Sequence, residues 1–402
     1  MGSNPKKIVL AYSGGLDTSV IVHWLKQKYG SDIIAVTVEV GNVGTRSQLA
    51  KNARTAGAAK FYYIDARDEF VTDYIYPAVK ANAVYEQRYL LGTSLARPII
   101  AAKMVEIAKK ENADALAHGA TGKGNDQVRF DMAFSTLMPK AKIIAPWRDW
   151  DIKSRTEEIE YAEKYNIKIP ITREKPYSSD ENLGHISFEG GVLEDLKNAP
   201  KDDMFKLTLS PKTAPNKPEV VSITFTRGIP VKVNGKKLTP AVLMSVLNKI
   251  AGRNAVGRVD VVENRLVGIK SRGVYESPGL TLLHTAHFDL ESITLDRETW
   301  HYKLGLSQKY AELIYNGQWF TPLRLALDKF INYTQESVNG TITMELYKGN
   351  TKILARESAD SLYSAKLATF EEEDVYNQKD AEGFIKLFGL PTRKAAQKRF
   401  MK

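Results

Sequence analysis

The 402 residues include no cysteine. That excludes a disulfide framework, a cysteine nucleophile, thiolate zinc and an iron–sulfur cluster. Long apolar runs are missing as well: none approaches the ~20 residues that a membrane-spanning helix needs. No signal-peptide pattern precedes Lys6, so the expectation is a cytoplasmic protein with no membrane partner. No GxxxxGK followed by Ser or Thr occurs, which removes a Walker A loop; Gly122-Lys123 comes closest, and Gly124 follows it. There is no internal repeat and no low-complexity tract.

What is present describes a folded chain. The 43% hydrophobic and 26% charged residues match no disordered or fibrous class, and the length suggests two or three domains. A net charge of +10 raises nucleic acid as a partner. The surplus is scattered, however: 20 cations face 14 anions in residues 1–150, but 7 face 11 in residues 151–200. Only the last ten residues, with Arg393, Lys394, Lys398, Arg399 and Lys402, form a compact basic patch. A nucleic-acid footprint concentrates its charge on one face. The expectation is no nucleic-acid partner.

The first 165 residues alternate between two patterns. Apolar runs at Lys7–Tyr12, Asp32–Val38, Lys60–Ile64, Asp114–Ala117 and Lys142–Pro146 read as buried strands. Helical patterns lie between them at Asp17–Tyr29, Ser47–Ala56, Asp68–Ala83, Pro98–Glu111 and Asn125–Thr136. This is βαβ grammar, which predicts an α/β domain on a doubly wound parallel sheet. After a helix near Ser154–Tyr165, Ile169-Pro170 and Lys175-Pro176 mark a crossing into α+β grammar. Expected there are a hairpin around Arg227-Gly228, a strand pair at Gly257–Val262 and Leu266–Lys270, helices across Gly279–Asn316 and Pro322–Gln335, and a hairpin turning at Gly349-Asn350. Beyond Leu362 the chain has too little apolar pattern for a core of its own. It ends in an amphipathic helix around Ala381–Met401, as expected of a segment that packs on another subunit.

The first strand runs directly into Ser13-Gly14-Gly15-Leu16-Asp17-Thr18-Ser19 and a helix. Two glycines admit a phosphate close to the backbone, and the free N–H groups of the helix start point at it. Ser13, Thr18 and Ser19 add hydroxyl donors; Asp17 suits an N-cap or an approach to phosphate-bound Mg²⁺. A second loop, His118-Gly119-Ala120-Thr121-Gly122-Lys123-Gly124-Asn125-Asp126-Gln127-Val128-Arg129-Phe130, follows another predicted strand at the ligand-binding end of such sheets. Its mixture of amides, a carboxylate and two cations suits a zwitterion, with the ammonium on Asp126. His284 and His287 stand i, i+3 near Asp289, but no further ligand is evident and packing is the preferred reading. His118 reads as positional rather than as a base.

The first loop resembles the pyrophosphatase-type loop of ATP-pyrophosphate-lyase enzymes, whose signature is Ser-Gly-Gly-x-Asp-Ser/Thr. Ala11–Ser19, taken with Gly119-x-Thr121-x-Lys123-Gly124-Asn125-Asp126-x-x-Arg129-Phe130, resembles the two signatures of the argininosuccinate synthase family. Arg88–Pro98, Ile144–Arg148, Ser178–Leu183, Gly257–Arg265 and Lys270–Glu276 extend the likeness over nearly the whole chain. The resemblance implies an ATP-dependent condensation of citrulline with aspartate, through citrullyl-adenylate, that releases AMP and pyrophosphate in arginine biosynthesis. It implies an adenine nucleotide alpha-hydrolase-like ATP domain (residues 1–168), an α+β synthetase domain (169–361) and a C-terminal oligomerisation helix in a tail (362–402) of a homotetramer.

Residue by residue, the resemblance implies that Ala11, Tyr12, Ser13, Gly14, Gly15, Leu16, Asp17, Thr18 and Ser19 hold ATP, with Val38 and Gly119. Thr121, Asn125 and Asp126 would bind aspartate. Tyr89, Ser94, Asn125, Arg129, Ser178, Ser187, Glu263 and Tyr275 would bind citrulline. Mg²⁺ would be held mainly by the ATP phosphates, with no protein metal site. No covalent nucleophile is assigned; Ser13, Asp17 and Asp126 would position the reactants.

The rivals use the same loop type. Thiouridylases and glutamine-dependent amide synthetases need cysteines that this chain lacks. Lysidine synthetases should show a concentrated basic face. A nucleotide-binding sensor of the universal-stress type has no need of the long second domain or the second polar loop.

Overall fold

The computed structural model describes residues 4–41, 43–122, 124–152, 154–167, 177–369, 371 and 375–400. The crossing around Ile169–Pro176, the first expected domain boundary and Lys123 lie outside them. The chain forms two compact units, residues 1–360 and 361–402.

Five strands, β1 (Lys7–Ala11), β2 (Asp32–Glu39), β3 (Lys60–Asp65), β4 (Ala115–Ala117) and β5 (Lys142–Ile144), make a parallel sheet in the order β3-β2-β1-β4-β5. Their period of two explains why both faces are covered. Ile8, Leu10, Ile33, Ala35, Ala115 and Ala117 pack into one apolar cluster, while the alternate residues Val9, Ile34, Val36, Val38 and Leu116 pack into another. The sheet order reverses between β1 and β4, so the loops after those two strands flank the switch point where doubly wound sheets bind ligands. Both sequence-picked loops are those loops.

The helix expected to begin at Pro98 starts six residues earlier, as Gly92–Glu111, with Pro98 inside it. Pro favours a first helical turn, which made Pro98 look like a start.

Two antiparallel sheets follow. Strands β6 (Ser178–Asn182) and β7 (His185–Glu189) were not expected, because β6 is polar throughout and carries no apolar alternation. Strands β8 (Glu219–Thr226), β9 (Ile229–Val233) and β10 (Lys236–Lys237) precede the helix Pro240–Arg253, which the sequence reading also passed over. Next come β11 (Arg258–Asn264) and β12 (Lys270–Glu276), then helices and the hairpin β13 (Gly340–Tyr347) and β14 (Asn350–Glu357). The sheets run β10-β9-β8-β13-β14 and β11-β12-β7-β6.

The strand expected at Leu266–Lys270 is instead a turn followed by β12. Leu266, Val267 and Ile269 are apolar but exposed there, whereas β12 buries its C-terminal half, Gly273–Glu276. The helical stretch expected across Gly279–Asn316 is two helices, Pro278–Thr294 and Arg297–Tyr315. Asp296 separates them: its carboxylate accepts from Glu298 N–H (3.1 Å) and Thr299 N–H (3.0 Å) and caps the second helix.

The second apolar cluster of the parallel sheet continues into the residues of β8, β13 and the helix Pro240–Arg253. The parallel sheet and the antiparallel part of the chain therefore share one core within residues 1–360. His287 is fully buried, with Nε2 2.7 Å from Gln335 Oε1, and no cluster of three metal-binding side chains occurs among the described residues.

In the second unit, the helices Ala365–Ala368, Asp380–Phe388 and Leu390–Phe400 contain no buried residue. Phe384 and Phe388 stack at 5.3 Å, one turn apart, on the middle helix.

Candidate functional site

At the end of β1 the chain turns through Ser13-Gly14-Gly15 into the helix Leu16–Tyr29. Gly14 has φ +82°, and a Cβ there would stand 2.2 Å from Leu49 Cδ2, so only glycine fits. The carbonyl of Gly14 accepts from Asn52 Nδ2 at 3.2 Å. Gly15, not Asp17, is the N-cap, and no side chain caps the helix; Asp17 lies in the first turn. Ser13 and Thr18 share a hydroxyl contact of 3.1 Å at the mouth of the loop, while Ser19 is buried against the Tyr12 hydroxyl at 2.9 Å. Ala11 ends β1, Leu16 packs in the core, and Val38 is buried near the end of the neighbouring β2.

The second loop leaves β4 beside it. His118 is fully buried with both ring nitrogens engaged: Ala120 N–H donates to Nδ1 (3.2 Å), and Nε2–H donates to Asp131 (2.9 Å). Both bonds hold the start of the loop. Gly119 follows, and Thr121 is exposed, its carbonyl accepting from Gly124 N–H at 3.1 Å. The helix Asn125–Leu137 then presents Asn125, Asp126 and Arg129 on its first turn.

These three line a cavity of about 70 Å³ together with Tyr89, Ser187, Glu263 and Tyr275 from the expected set. Thr93, Asp180, Glu189 and Arg265 complete the charged and polar wall. Cross-strand register explains much of the meeting. Asp180 pairs with Ser187 and Ser187 with Tyr275, so one row across β6, β7 and β12 faces the cavity. Glu263 joins through the Tyr275 hydroxyl, which donates to its Oε1. Ser94 is fully buried on the helix beside Thr93, and Ser178 is exposed, paired with Glu189.

The electrostatics are specific. Asp126 accepts from Arg97 Nε (2.9 Å) and Arg129 Nη1 (2.8 Å). Burial opposes its ionisation, but the two guanidinium groups outweigh burial and hold the carboxyl down at about 2. Arg97 also donates to Asp180 at 2.9 Å. Arg129 is anchored by Nε to the Tyr315 carbonyl (3.0 Å) and lies 5.0 Å from the centre of the Tyr315 ring. Asn125 Oδ1 accepts from Leu266 N–H at 3.0 Å, which turns the Asn125 amide hydrogens toward the cavity. Burial raises the Tyr275 hydroxyl far above its ordinary range, with Glu263 adding to it, and burial pushes Tyr89 up to about 12. Glu263 Oε2 is buried outside hydrogen-bond geometry with any described residue, beside the Tyr315 hydroxyl whose ionisation Glu263 opposes; an incoming ammonium is its chemical complement.

Two family models match the chain: arginosuccinate synthase N-terminal HUP domain over residues 7–168, and arginosuccinate synthase C-terminal domain over residues 177–395. The chain belongs to the argininosuccinate synthase family. It is 60% identical to the argininosuccinate synthase of Endomicrobium trichonymphae, covering 98% of this chain and 95% of that protein. The enzyme of Leptospira biflexa serovar Patoc is 58% identical, with 98% of each chain covered. That of Carboxydothermus hydrogenoformans is 56% identical over 99% of this chain and 100% of its own length.

Sequence reasoning missed Thr93, Arg97, Asp180, Glu189 and Arg265. Thr93 and Arg97 stand four apart on the helix Gly92–Glu111 and so share a face. Placing the helix start at Gly92 would have revealed that pairing.

Proposed function

We propose that the chain is an ATP-dependent C–N ligase that condenses L-citrulline with L-aspartate to argininosuccinate, releasing AMP and pyrophosphate. The observation that carries this is the match to the family at 56–60% identity across essentially the whole chain. ATP is the co-substrate, held by Ala11–Ser19, Val38 and Gly119. The phosphates meet the uncapped N–H groups after Gly15 and the Ser13 and Thr18 hydroxyls, with Ser19 bonded to Tyr12 behind them. Mg²⁺ would be held mainly by the ATP phosphates and would supply neutralisation of their charge. Asp17, in the first helical turn of the loop, would be the carboxylate to approach it.

Citrulline occupies the cavity. Glu263 Oε2 takes its ammonium, while Arg129 and the Asn125 amide take its carboxylate. Tyr89, Ser94, Ser178, Ser187 and Tyr275 complete the hydrogen bonding. The ureido oxygen attacks the α-phosphate and pyrophosphate leaves, giving citrullyl-adenylate, which turns a poor leaving oxygen into a good one. Aspartate is held by Thr121, Asn125 and Asp126, and its amine displaces AMP from the ureido carbon. No side chain needs to become a nucleophile; the residues position reactants and balance charge.

The ATP role falls on residues 1–168, the amino-acid substrates on 169–361 together with the second loop, and assembly on 362–402. We assign the state as a cytoplasmic homotetramer, supported by the apolar Phe384, Ile385, Leu387 and Phe388 on a tail helix that buries none of them. Pyrophosphate release from ATP, with citrulline and aspartate omitted in turn, tests the function. Sustained turnover requires both; indifference to citrulline would sink the assignment.

A further inference from the structure

His185, at the start of β7, is fully buried behind the cavity wall and belongs to no role given above. Its Nε2 lies 2.8 Å from Thr93 Oγ1. Its ring stacks on Tyr275, with centroids 5.8 Å apart and planes 12° apart, and lies 6.2 Å from the Tyr89 ring. The helix opposite makes room for it at one residue: a Cβ on Gly92 would stand 2.3 Å from the imidazole. Asn182 Nδ2 donates to the Gly92 carbonyl at 3.2 Å and fixes that close approach. The imidazole is therefore held on three sides.

Its protonation follows from its partners. Burial first, and then the nearby Arg97 and Arg129 charges, push the imidazole down to about 3, so it is neutral at physiological pH. A neutral ring carries one N–H. Among the described residues, Nδ1 is buried without a hydrogen-bond partner. A proton on Nδ1 would strand a buried donor, and orphaned buried N–H groups are rarer than under-used acceptors. The proton belongs on Nε2, where it meets Thr93 Oγ1.

That choice sets what the cavity offers. If Nε2 accepted, the Thr93 hydroxyl hydrogen would be spent on the ring. With Nε2–H donating, one lone pair of Thr93 Oγ1 is filled from behind and its hydrogen turns away from the imidazole. It then faces the Tyr89 phenol oxygen, which it also reaches, and the cavity that both residues line. The wall keeps one more hydrogen-bond donor than it would have with the imidazole in its other tautomer.

We infer that Thr93 is a further substrate-recognition residue, donating its hydroxyl to an oxygen of the amino acid bound in this cavity, and that His185 is the positioning residue that fixes this polarity. The inference rests on the reading that the bound amino acid is citrulline. A wild-type enzyme whose pyrophosphate release needs citrulline establishes that reading first, so failure of the two can be told apart.

The test is steady-state kinetics on the full-length chain, with each substrate varied in turn. Thr93→Val keeps the shape and removes the donor. It should raise KM for citrulline about tenfold, the worth of one neutral hydrogen bond, with KM for ATP and aspartate within twofold. Thr93→Ser should recover most of that loss. His185→Gln, whose amide N–H can stand in for Nε2–H, should hold the citrulline KM closer to wild type than the apolar His185→Phe. Thermal melting of each variant identifies any that fail to fold, and the Thr93 pair decides the matter if the His185 variants do. An unchanged citrulline KM in Thr93→Val, or equal rises in all three KM values, would overturn the inference.

Discussion

Replacing Asp126 with Asn separates the two halves of the reaction. The side chain keeps its size but loses the negative charge that receives hydrogen bonds from Arg97 and Arg129 at 2.9 and 2.8 Å. In the proposed mechanism that carboxylate holds the aspartate molecule and takes no part in forming the adenylate. A hydrogen bond to an ionised group is worth roughly 2–3 kcal/mol, so kcat/KM for aspartate should fall about 30- to 160-fold. Citrulline-dependent exchange of labelled pyrophosphate into ATP, measured without aspartate, reports the first half alone. It should stay within about threefold of wild type, because Arg97 keeps its second partner, Asp180, and Arg129 keeps its bond to the Tyr315 carbonyl. Loss of exchange in parallel with loss of aspartate use would refute the division of roles.

Asp126 also gives a pH signature: its folded pKa, about 2, lies below the unfolded value near 4, so its contribution is full above pH 4 and lost as pH falls toward 2. Urea unfolding midpoints between pH 4 and 2 should therefore fall less steeply in Asp126→Asn than in wild type. Gly14→Ala should raise KM for ATP at least tenfold and lower the melting temperature, since φ +82° and the 2.2 Å approach to Leu49 both oppose a Cβ. Lys303→Met should destabilise the chain by about 3–5 kcal/mol in urea titration, because it leaves the fully buried Glu291 carboxylate without its 2.9 Å ion pair. Light scattering of the full chain and of a chain ending at 361 should show a tetramer in the first and a smaller species in the second.

The parallel sheet was legible because its strands are short, apolar and separated by periodic helices, and because two glycine-bearing loops sit where the strand order reverses. Three cavity-lining residues were legible for the same reason: Asn125, Asp126 and Arg129 fall within the first five residues of one helix. The rest of the cavity was not. Its walls come from the helix at Gly92, from β6 and β7, and from β11 and β12, and only sheet register brings Asp180, Ser187 and Tyr275 into one row. Strand β6, Ser-Ser-Asp-Glu-Asn, has no apolar alternation to announce it. The exposed Leu266, Val267 and Ile269 mimic a strand while forming the turn whose backbone orients Asn125. His185 carried no motif at all; its meaning depends on Gly92, 93 positions earlier, yielding space for the ring.

The adenylate route is tested most directly with citrulline carrying ¹⁸O in its ureido group. The mechanism makes that oxygen the bridge to the α-phosphate, so it must leave with the nucleotide. Mass spectrometry of the products should find the label in AMP and none in argininosuccinate; unlabelled AMP would contradict the account.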